Sequence, residues 1–336
     1  MIQDALKKVV ERKNLTQDES TAVMGEIMRG EASPALLAAL LTALRLKGET
    51  AEEIAGFAGE MRAHAHQIKA KNQPVVDTCG TGGDASGSFN VSTVAAFIVA
   101  GAGVTVAKHG NRSVSSKCGS ADVLEACGAK IDWPPAQAEK CLNEVGVAFL
   151  FAPLFHPAMK NVMPVRKELG IRTVFNILGP LTNPAGATGQ ILGVFKPELT
   201  EIMADVLGRL GCKRAFVVHG HDGLDEFTLS DATRVSELNT GQIKTYDVTP
   251  EELGLTRAPR ETVRGGTAAD NAAILKAILS GADKGPRRDV VLMNAAAALV
   301  TAGRAADLKS GLAAAQKSID SGTAHSKLEQ FVNFKG

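Results

Sequence analysis

The stretch that decides the fold is VVDTCGTGGDASGSFNVSTVAAFIVAGAGVTVAKHGNRSVSSKCGS, residues 75–120. Two apolar runs, at residues 75–76 and 104–107, each lead into a polar loop, and a helical apolar pattern connects them. This strand–helix–strand order predicts two parallel strands of one sheet. Their loops, at residues 78–84 and 108–112, therefore lie at the carboxyl edge, where such sheets bind ligands.

Both loops carry groups that bind anions. The first contains GTGGD at residues 80–84 and leads into a helix start at Asn90, Ser92 and Thr93, where free N–H groups and the helix dipole favour an anion. The second, KHGNR at residues 108–112, concentrates cations and backbone donors. Together they predict a grip on a multiply charged anion such as a phosphorylated sugar.

Simpler readings of these loops stay open. The glycines could form only a tight strand-to-helix turn, and the cations only a solvated charge run. Asp84 would oppose a bare phosphate unless it orders the loop, binds a sugar hydroxyl or faces a metal. Neither the GxxxxGK[ST] motif nor a dinucleotide-binding glycine spacing with its acidic residue is present.

Composition restricts the classes of function. The 336 residues are 45% hydrophobic and carry a net charge of +1, so phosphate recognition must be local and nucleic acid is not an expected partner. Five cysteines without CxxC spacing predict neither a disulfide framework nor a zinc site. The first residues lack a signal-peptide pattern and no apolar run reaches 18 residues, which predicts a soluble, cytoplasmic protein without a membrane partner.

The first 70 residues predict helices. Capping boxes stand at residues 16–19 and 50–53, and Ser33 with Pro34 predicts a third helix start. The apolar stripe of the third helix comprises Leu36, Leu37, Leu40, Leu41, Leu44 and Leu46. Its breadth predicts a bundle that packs against the rest of the chain or against a second subunit, with ordinary domain core as the alternative.

From residue 74 onward, short apolar runs alternate with helical patterns. This rhythm predicts an α/β fold with a mainly parallel central sheet flanked by helices. The strands after residue 100 are expected at residues 104–107, 147–151, 189–194, 215–218 and 290–292. Residues 240–266 are polar and weakly patterned and are expected to be peripheral, whereas the alanine-rich tail from Ala295 predicts helices with a turn at residues 320–322.

One section interrupts the rhythm and is expected to return to the N-terminal helices. The chain would then form a small all-helical domain, residues 1–70 with about 160–183, and a large α/β domain. The large domain would comprise residues 74–158 and 185–336, with hinges near residues 71–74 and 182–189.

A pair of adjacent carboxylates, Asp225 and Glu226, follows the predicted strand at residues 215–218. Carboxylate oxygens at a strand end can hold Mg²⁺, which takes its remaining ligands from water and phosphate. A surface acidic turn is the alternative. The anion-binding loops favour the metal, because a metal and a phosphate commonly share a site.

Seven motifs, in order along the chain, resemble those of the anthranilate phosphoribosyltransferase family. They are GTGGD at 80–84, NVST at 90–93, KHGNR at 108–112, GSAD at 119–122, RTVFN at 172–176, LGPL at 178–181 and DGLDE at 222–226. The family often has threonine where Ser88 stands and isoleucine where Val91 stands, and both departures are conservative. The resemblance implies the nucleoside phosphorylase and phosphoribosyltransferase type of fold.

The resemblance also implies the reaction and the site. The 5-phosphoribosyl group would pass from phosphoribosyl pyrophosphate (PRPP) to the amine of anthranilate, the second step of tryptophan biosynthesis from chorismate. Electrostatic help would come from Lys108, Asp225 and Glu226, and no side chain is a certain catalytic residue. Two Mg²⁺ ions would lie at Ser92, Asp225 and Glu226. Anthranilate would contact Gly80, His109, Asn111, His156 and Arg166. The PRPP site would comprise Gly80, Gly82, Gly83, Asp84, Ser88, Asn90, Val91, Ser92, Thr93, Lys108, His109, Gly110, Asn111, Arg112, Ser113, Val114, Ser115, Ser116 and Ser120.

The resemblance further implies a homodimer through the helical domain, and leaves open an association with anthranilate synthase. Two other functions are alternatives to this one. A pyrimidine nucleoside phosphorylase generally has glycine where Asn111 stands and is not expected to carry the Asp225-Glu226 pair. A non-catalytic relative that binds nucleic acid is disfavoured by the near-zero net charge and by the same pair.

Overall fold

The computed structural model describes residues 1–84, 86–113 and 117–336. The chain begins with four helices: α1 (Ile2–Val10), α2 (Gln17–Met28), α3 (Pro34–Lys47) and α4 (Ala51–Ala63). The expected capping boxes are present at Thr16 and Thr50, and the Ser33 side chain caps α3. The helical prediction for this region is confirmed.

A seven-stranded sheet forms the centre of the described chain. Its strands are β1 (Val75–Gly80), β2 (Thr105–Gly110), β3 (Val147–Phe151), β4 (Gly189–Gly193), β5 (Arg214–Gly220), β6 (Thr233–Asn239) and β7 (Gln242–Val248). Their order is β3-β2-β1-β4-β5-β6-β7. Strands β1 to β5 are parallel to one another, whereas β6 is antiparallel to β5 and β7 is antiparallel to β6. The mainly parallel sheet is as predicted, and the carboxyl ends of β1, β2, β4 and β5 share one edge.

Helices cover both faces of the sheet. They are α5 (Val91–Gly101), α6 (Ser120–Ala126), α7 (Pro135–Val145), α8 (Ala152–Phe155), α9 (Met163–Leu169), α10 (Phe175–Leu178), α11 (Leu199–Arg209), α12 (Ala268–Leu279), α13 (Pro286–Thr301), α14 (Leu308–Asp320) and α15 (Thr323–Val332). Along β5, Phe216 and Val218 join the core beneath α5 and α13. Ala215 and Val217 join a second core with α11 and the N-terminal helices, so the strand is buried on both faces, as parallel strands require.

One expectation for a single segment is wrong. The run Val290, Val291 and Leu292 is not a strand but lies inside α13, where all three side chains have 0% exposure. A short apolar run in a fully buried helix has no polar face to reveal its period. Residues 242–248, within the segment expected to be peripheral, form the largely exposed edge strand β7. Of the α3 stripe, Leu37, Leu40, Leu41 and Leu44 are buried within the chain, whereas Leu46 is 74% exposed.

The section at residues 160–183 contacts the N-terminal helices. The Asn161 side chain donates to the Met28 carbonyl at 2.9 Å, and Arg45 of α3 donates to the Arg172 carbonyl at 2.6 Å. Val162 and Val165 join the same apolar core as α1 to α4. These are the contacts that a discontinuous helical layer needs. Within the described residues, no helix is both long and apolar enough to cross a membrane.

Candidate active site

The glycine loop after β1 and the acidic turn after β5 are joined directly. Gly82 and Gly83 have φ of 64° and 78°, the left-handed region that favours glycine. The Gly82 N–H donates to the Asp225 carboxylate at 2.9 Å, and the Asp225 N–H lies 3.5 Å from the Asp84 carboxylate. A Cβ on Gly193 at the end of β4 would lie 1.5 Å from the Asp225 carbonyl oxygen. Close packing therefore fixes the acidic turn against the sheet.

The acidic turn concentrates negative charge. Burial, and next the charge of Asp84, raise the pKa of Asp225 to about 7. Burial, and next Asp225, raise the pKa of Glu226 to about 8, although the Ser92 N–H donates to it. Three carboxylates so close together are incompletely balanced by Lys108, so a divalent cation would stabilise them.

This donor set fits Mg²⁺. The described residues hold no cluster of three or more histidine, cysteine or acidic side chains arranged for a metal. Mg²⁺ does not need one, because it binds through one or two carboxylates and takes water and phosphate oxygens as its other ligands. Asp225 and Glu226, with the Ser92 hydroxyl at the start of α5, are the residues that would hold it.

Asp222 shapes the acidic turn from behind, and the sequence analysis did not identify it as a site residue. Its carboxylate accepts from the Leu224 N–H at 3.1 Å and from the Thr228 hydroxyl at 2.7 Å. Its carbonyl accepts from Arg260 at 2.6 Å. The sequence did contain a signal for this role. An aspartate in a turn commonly accepts a hydrogen bond from the backbone N–H two residues further on, as Asp222 does from Leu224.

Lys108 lies beneath the glycine loop and is only 4% exposed. Its ammonium donates to the Thr78 carbonyl and to the Ser92 hydroxyl, the latter at 3.2 Å. Burial lowers its pKa, against the opposing charges of Asp77, Cys79 and Glu226. The side chain therefore ties the end of β1 to the start of α5, although the sequence predicted a phosphate contact.

Asp77 is a second buried group that the sequence analysis missed. Its carboxylate accepts from the His109 N–H at 3.2 Å and from the Asn183 side chain at 2.7 Å. Asn183 also donates to the Ala107 carbonyl at 2.7 Å. Burial raises the pKa of Asp77, with Lys108 opposing that rise. An acid inside an apolar strand was the signal, because buried carboxylates need partners.

The start of α5 divides its residues between core and cleft. Val91 is 1% exposed and belongs to the core, so only its backbone can serve a ligand. Thr93 is also 1% exposed, and its hydroxyl has no partner in the described chain. The Asn90 side chain donates to the Cys118 carbonyl at 3.2 Å and accepts from Asn271 at 3.0 Å. Asn90 thus connects this helix start to the second loop and to α12.

The second loop carries its own ion pairs. Arg112 pairs with Asp122 at 3.2 Å and with Glu125, so its guanidinium is already engaged. Asn111 accepts from the Arg112 N–H at 2.7 Å through its side chain and from the Ser120 hydroxyl at 3.3 Å through its carbonyl. Gly110 ends β2, and the Ser113 N–H donates to Asp122 at 3.1 Å.

Ser88, in the loop between β1 and α5, accepts a hydrogen bond from the Ser86 hydroxyl at 3.0 Å. The predicted residues Val114, Ser115 and Ser116 lie outside the described residues.

Two buried histidines stand side by side between this edge and the helical layer. The His109 and His156 rings are 5.1 Å apart, and His109 donates through Nδ1 to the Gly179 carbonyl at 3.1 Å. The Nε2 atoms of both have no partner among the described residues. Burial lowers the pKa of His109 to about 3 and that of His156 to about 4. Both rings are therefore neutral at pH 7.

Two arginines of the section at residues 160–183 lie over aromatic rings. Arg166 on α9 lies 5.6 Å over the Phe175 ring, and it forms no ion pair with a carboxylate of the described chain. Burial lowers its pKa. Arg172, which the sequence analysis quoted only within a motif, lies 4.5 Å over the Phe195 ring and donates to the Gly83 carbonyl. One arginine is thus available to an anion, and the other holds the glycine loop.

The chain combines a helical layer with an α/β sheet. At the edge of that sheet, carboxylates that could bind a metal lie beside a glycine loop that could bind an anion. This arrangement is that of a transferase that uses a charged sugar donor. Family models support that class. The a/b domain of the glycosyl transferase family matches residues 72–325, and the helical bundle domain of the glycosyl transferase family matches residues 3–65.

Relatives narrow the class. The chain is 58% identical to the anthranilate phosphoribosyltransferase of Desulfosudis oleivorans over 334 residues, 99% of this chain and 98% of that one. The enzyme of the same name from Thermus thermophilus matches in structure with a TM-score of 0.94 and 48% identity, over 98% of this chain and 99% of that one. That from Saccharomyces cerevisiae, solved in complex with PRPP and Mg, matches with a TM-score of 0.89 and 30% identity, over 99% and 97%. The chain belongs to the anthranilate phosphoribosyltransferase family, as its motifs predicted.

Proposed function

We propose that this chain transfers the 5-phosphoribosyl group from PRPP to the amine of anthranilate, giving N-(5-phosphoribosyl)anthranilate and pyrophosphate. The observation that carries the proposal is the direct bond between the glycine loop and the acidic turn, Gly82 N–H to Asp225 at 2.9 Å. It brings an anion-binding backbone and a pair of metal-binding carboxylates into one site. The full-length relatives support this activity, the second step of tryptophan biosynthesis from chorismate.

The donor half of the site lies on the α/β side. The glycine loop, the start of α5 and the loop after β2 bind PRPP, with Asp84 ordering the loop or binding a ribose hydroxyl. Ser92, Asp225 and Glu226 hold Mg²⁺, two ions in the complete site. When bound, Mg²⁺ offsets the negative charge that pyrophosphate gains as it leaves. Lys108 positions Ser92 through its 3.2 Å hydrogen bond.

The acceptor half lies toward the helical layer. Arg166 pairs with the anthranilate carboxylate, and a planar guanidinium suits that carboxylate because it donates two parallel hydrogen bonds. Gly80, Asn111 and the neutral rings of His109 and His156 contact the acceptor. Its aromatic amine is neutral at pH 7 and is already a nucleophile, so positioning matters more than a strong general base.

Domain closure joins the two halves. The Ile68 N–H, just before the hinge at residues 71–74, donates to the Pro184 carbonyl, in the hinge at residues 182–189, at 3.2 Å. The chain crosses between the two parts at these hinges and near residues 158–160, and flexible crossings let one layer rotate against the other. Closure would exclude water from the reacting sugar carbon, which carries positive charge in the transition state.

The assembly we propose is a cytoplasmic homodimer through the helical layer. Met1, Val10 and Leu46 are 63%, 65% and 74% exposed, and all three belong to the N-terminal helical segment. These exposed apolar side chains are compatible with a protein interface on this layer, which is where the family resemblance places the dimer contact.

The test is the loss of anthranilate fluorescence on mixing the protein with PRPP and Mg²⁺. We expect loss of anthranilate only when both PRPP and Mg²⁺ are present. In a separate assay with thymidine and phosphate, we expect no release of thymine. Thymidine cleavage without anthranilate consumption would instead identify a pyrimidine nucleoside phosphorylase.

A further inference from the structure

Arg172 and the acidic turn both hold the glycine loop. Its guanidinium donates to the Gly83 carbonyl, while the Gly82 N–H donates to Asp225 at 2.9 Å. The first contact is to the peptide unit of residues 83–84 and the second is to that of residues 81–82, so the loop is held at two points. The position of the loop therefore depends on two side chains, of which only Asp225 belongs to the α/β part of the site.

Arg172 is itself held by the helical layer. Arg45 on α3 donates to the Arg172 carbonyl at 2.6 Å, and the next amide, Thr173 N–H, donates to the Asn176 side chain at 2.9 Å. The guanidinium lies 4.5 Å over the Phe195 ring, which follows β4. These contacts fix both the backbone and the side chain before the loop is reached.

We propose that Arg172 is a positioning residue that couples the helical layer to the glycine loop, so that occupation of the acceptor half alters the affinity of the donor half for a diphosphate. The inference rests on the proposed function for the identity of the two ligands. Arg172 spans the two halves: Arg45 belongs to the layer that carries Arg166, and Gly83 belongs to the loop that receives PRPP.

The role needs arginine in particular. A guanidinium stacks on a ring and donates from its edge at the same time, whereas an ammonium is a compact charge without a stacking face. Lysine at this position would keep the charge and lose the fixed geometry. Because coupling between two binding sites is reciprocal, loss of the contact should weaken the effect of each ligand on the other equally.

The experiment compares Arg172→Lys and Arg172→Gln with the wild type. Hydrogen exchange of the backbone amides at residues 80–84 is measured without ligand, and the Kd for pyrophosphate with Mg²⁺ is measured by calorimetry with and without anthranilate. Pyrophosphate and anthranilate do not react with each other, so both can be present at equilibrium. The matched control is Arg62→Lys, since Arg62 donates to the Leu181 and Leu210 carbonyls at 2.6 and 2.9 Å and does not touch the loop.

We expect both Arg172 variants to exchange the loop amides faster, to raise the Kd for pyrophosphate about tenfold, and to lose the change in Kd that anthranilate causes in the wild type. If both variants show the same amide exchange at residues 80–84 and the same Kd for pyrophosphate as the wild type, the inference is overturned. A higher Kd with unchanged exchange would overturn it too, since Arg172 would then be a direct ligand. Equal effects in Arg62→Lys would do the same.

The outcomes separate this inference from the proposed function. Exchange in the ligand-free protein reports on the loop whether or not the wild type consumes anthranilate. A wild type without turnover would contradict the proposed function, and unchanged exchange in the Arg172 variants would contradict the positioning role alone.

Discussion

His109 and His156 make the protein sensitive to acid, because both are buried as neutral rings. Their pKa values are lowered to about 3 and about 4, chiefly by burial, whereas an unfolded histidine titrates near 6.5. Below about pH 6.5 the unfolded chain therefore binds more protons than the folded one. The stability that the neutral rings contribute is complete above that pH and is lost as the pH falls.

We therefore expect the double variant His109→Gln, His156→Gln to lose part of the wild-type pH dependence. Between pH 6.5 and 5, each histidine should cost the wild type roughly 2 kcal/mol of unfolding free energy. Urea unfolding at pH 5 and 7.5 measures the difference. His325→Gln is the control, since that side chain is 38% exposed. The same pH dependence in the double variant and in the wild type would contradict the burial of neutral rings.

At the level of single residues, the sequence predicted which side chains gather at the site better than it predicted what they do. Asp225 and Glu226 stand at a strand end, as expected. Lys108, expected at the phosphate, is buried beneath the loop and bonded to Ser92. Arg112, expected there as well, pairs with two carboxylates in the described chain. The sequence shows that a cation follows the strand. The direction in which its side chain points depends on acidic groups that only the tertiary fold brings near.

The end of β4 limits the position of the acidic turn. Because a Cβ on Gly193 would lie 1.5 Å from the Asp225 carbonyl oxygen, the strand and the turn must separate if any side chain is added. The obstacle is backbone and cannot rotate away. This contact places the metal-binding carboxylates at a set distance from the glycine loop.

We expect Gly193→Ala to lower the unfolding free energy by about 1–3 kcal/mol and to reduce Mg²⁺-dependent turnover more than stability alone explains. Gly59→Ala in α4 is the control: its Cβ would lie 3.8 Å from Leu210, so the variant should gain about 0.5–1 kcal/mol from helix propensity. Chemical unfolding and initial rates measure both effects. Wild-type rates in folded Gly193→Ala would show that the close packing does not position the carboxylates.

Elements with a clear period or caps could be predicted from the sequence, and those without could not. Caps such as Thr16 and Thr50 indicate the N-terminal helices, and apolar runs followed by glycine loops indicate the parallel strands. The buried part of α13 has no polar face, so its apolar run at residues 290–292 resembled a strand. The strand β7 is largely exposed, so it lacks the apolar alternation that marks a half-buried strand.

For the whole molecule, the helical layer is expected to carry the subunit interface. We predict that the double variant Val10→Glu, Leu46→Glu sediments as a folded monomer, because a charge at these two exposed apolar positions opposes their burial in an interface. Ile243→Glu is the control, since Ile243 is 39% exposed on the edge strand β7. Analytical ultracentrifugation measures the mass. A wild-type monomer, or an intact dimer of the double variant, would contradict an interface through this layer.

The motifs in the sequence predicted two halves of a site, but they could not reveal the contacts between the halves. Arg45 and Arg172 are separated by 127 positions, and their hydrogen bond exists only because the section at residues 160–183 folds back onto α3. The Asp77–Asn183 contact likewise joins positions 106 apart. Contacts of this range depend on how the two layers pack, for which a single sequence gives no local pattern.

The central claim is that the acidic turn serves the diphosphate while Arg166 serves the acceptor. Initial rates of anthranilate loss, measured over both substrates for Glu226→Gln and Arg166→Lys, test it most directly. We predict that Glu226→Gln lowers kcat about 100-fold with little change in the KM for anthranilate. We predict that Arg166→Lys raises the KM for anthranilate about tenfold while the KM for PRPP stays within twofold. Lys167→Ala, an exposed change on the same helix, should match the wild type. Identical effects of the two site variants on both substrates would contradict the division into two halves.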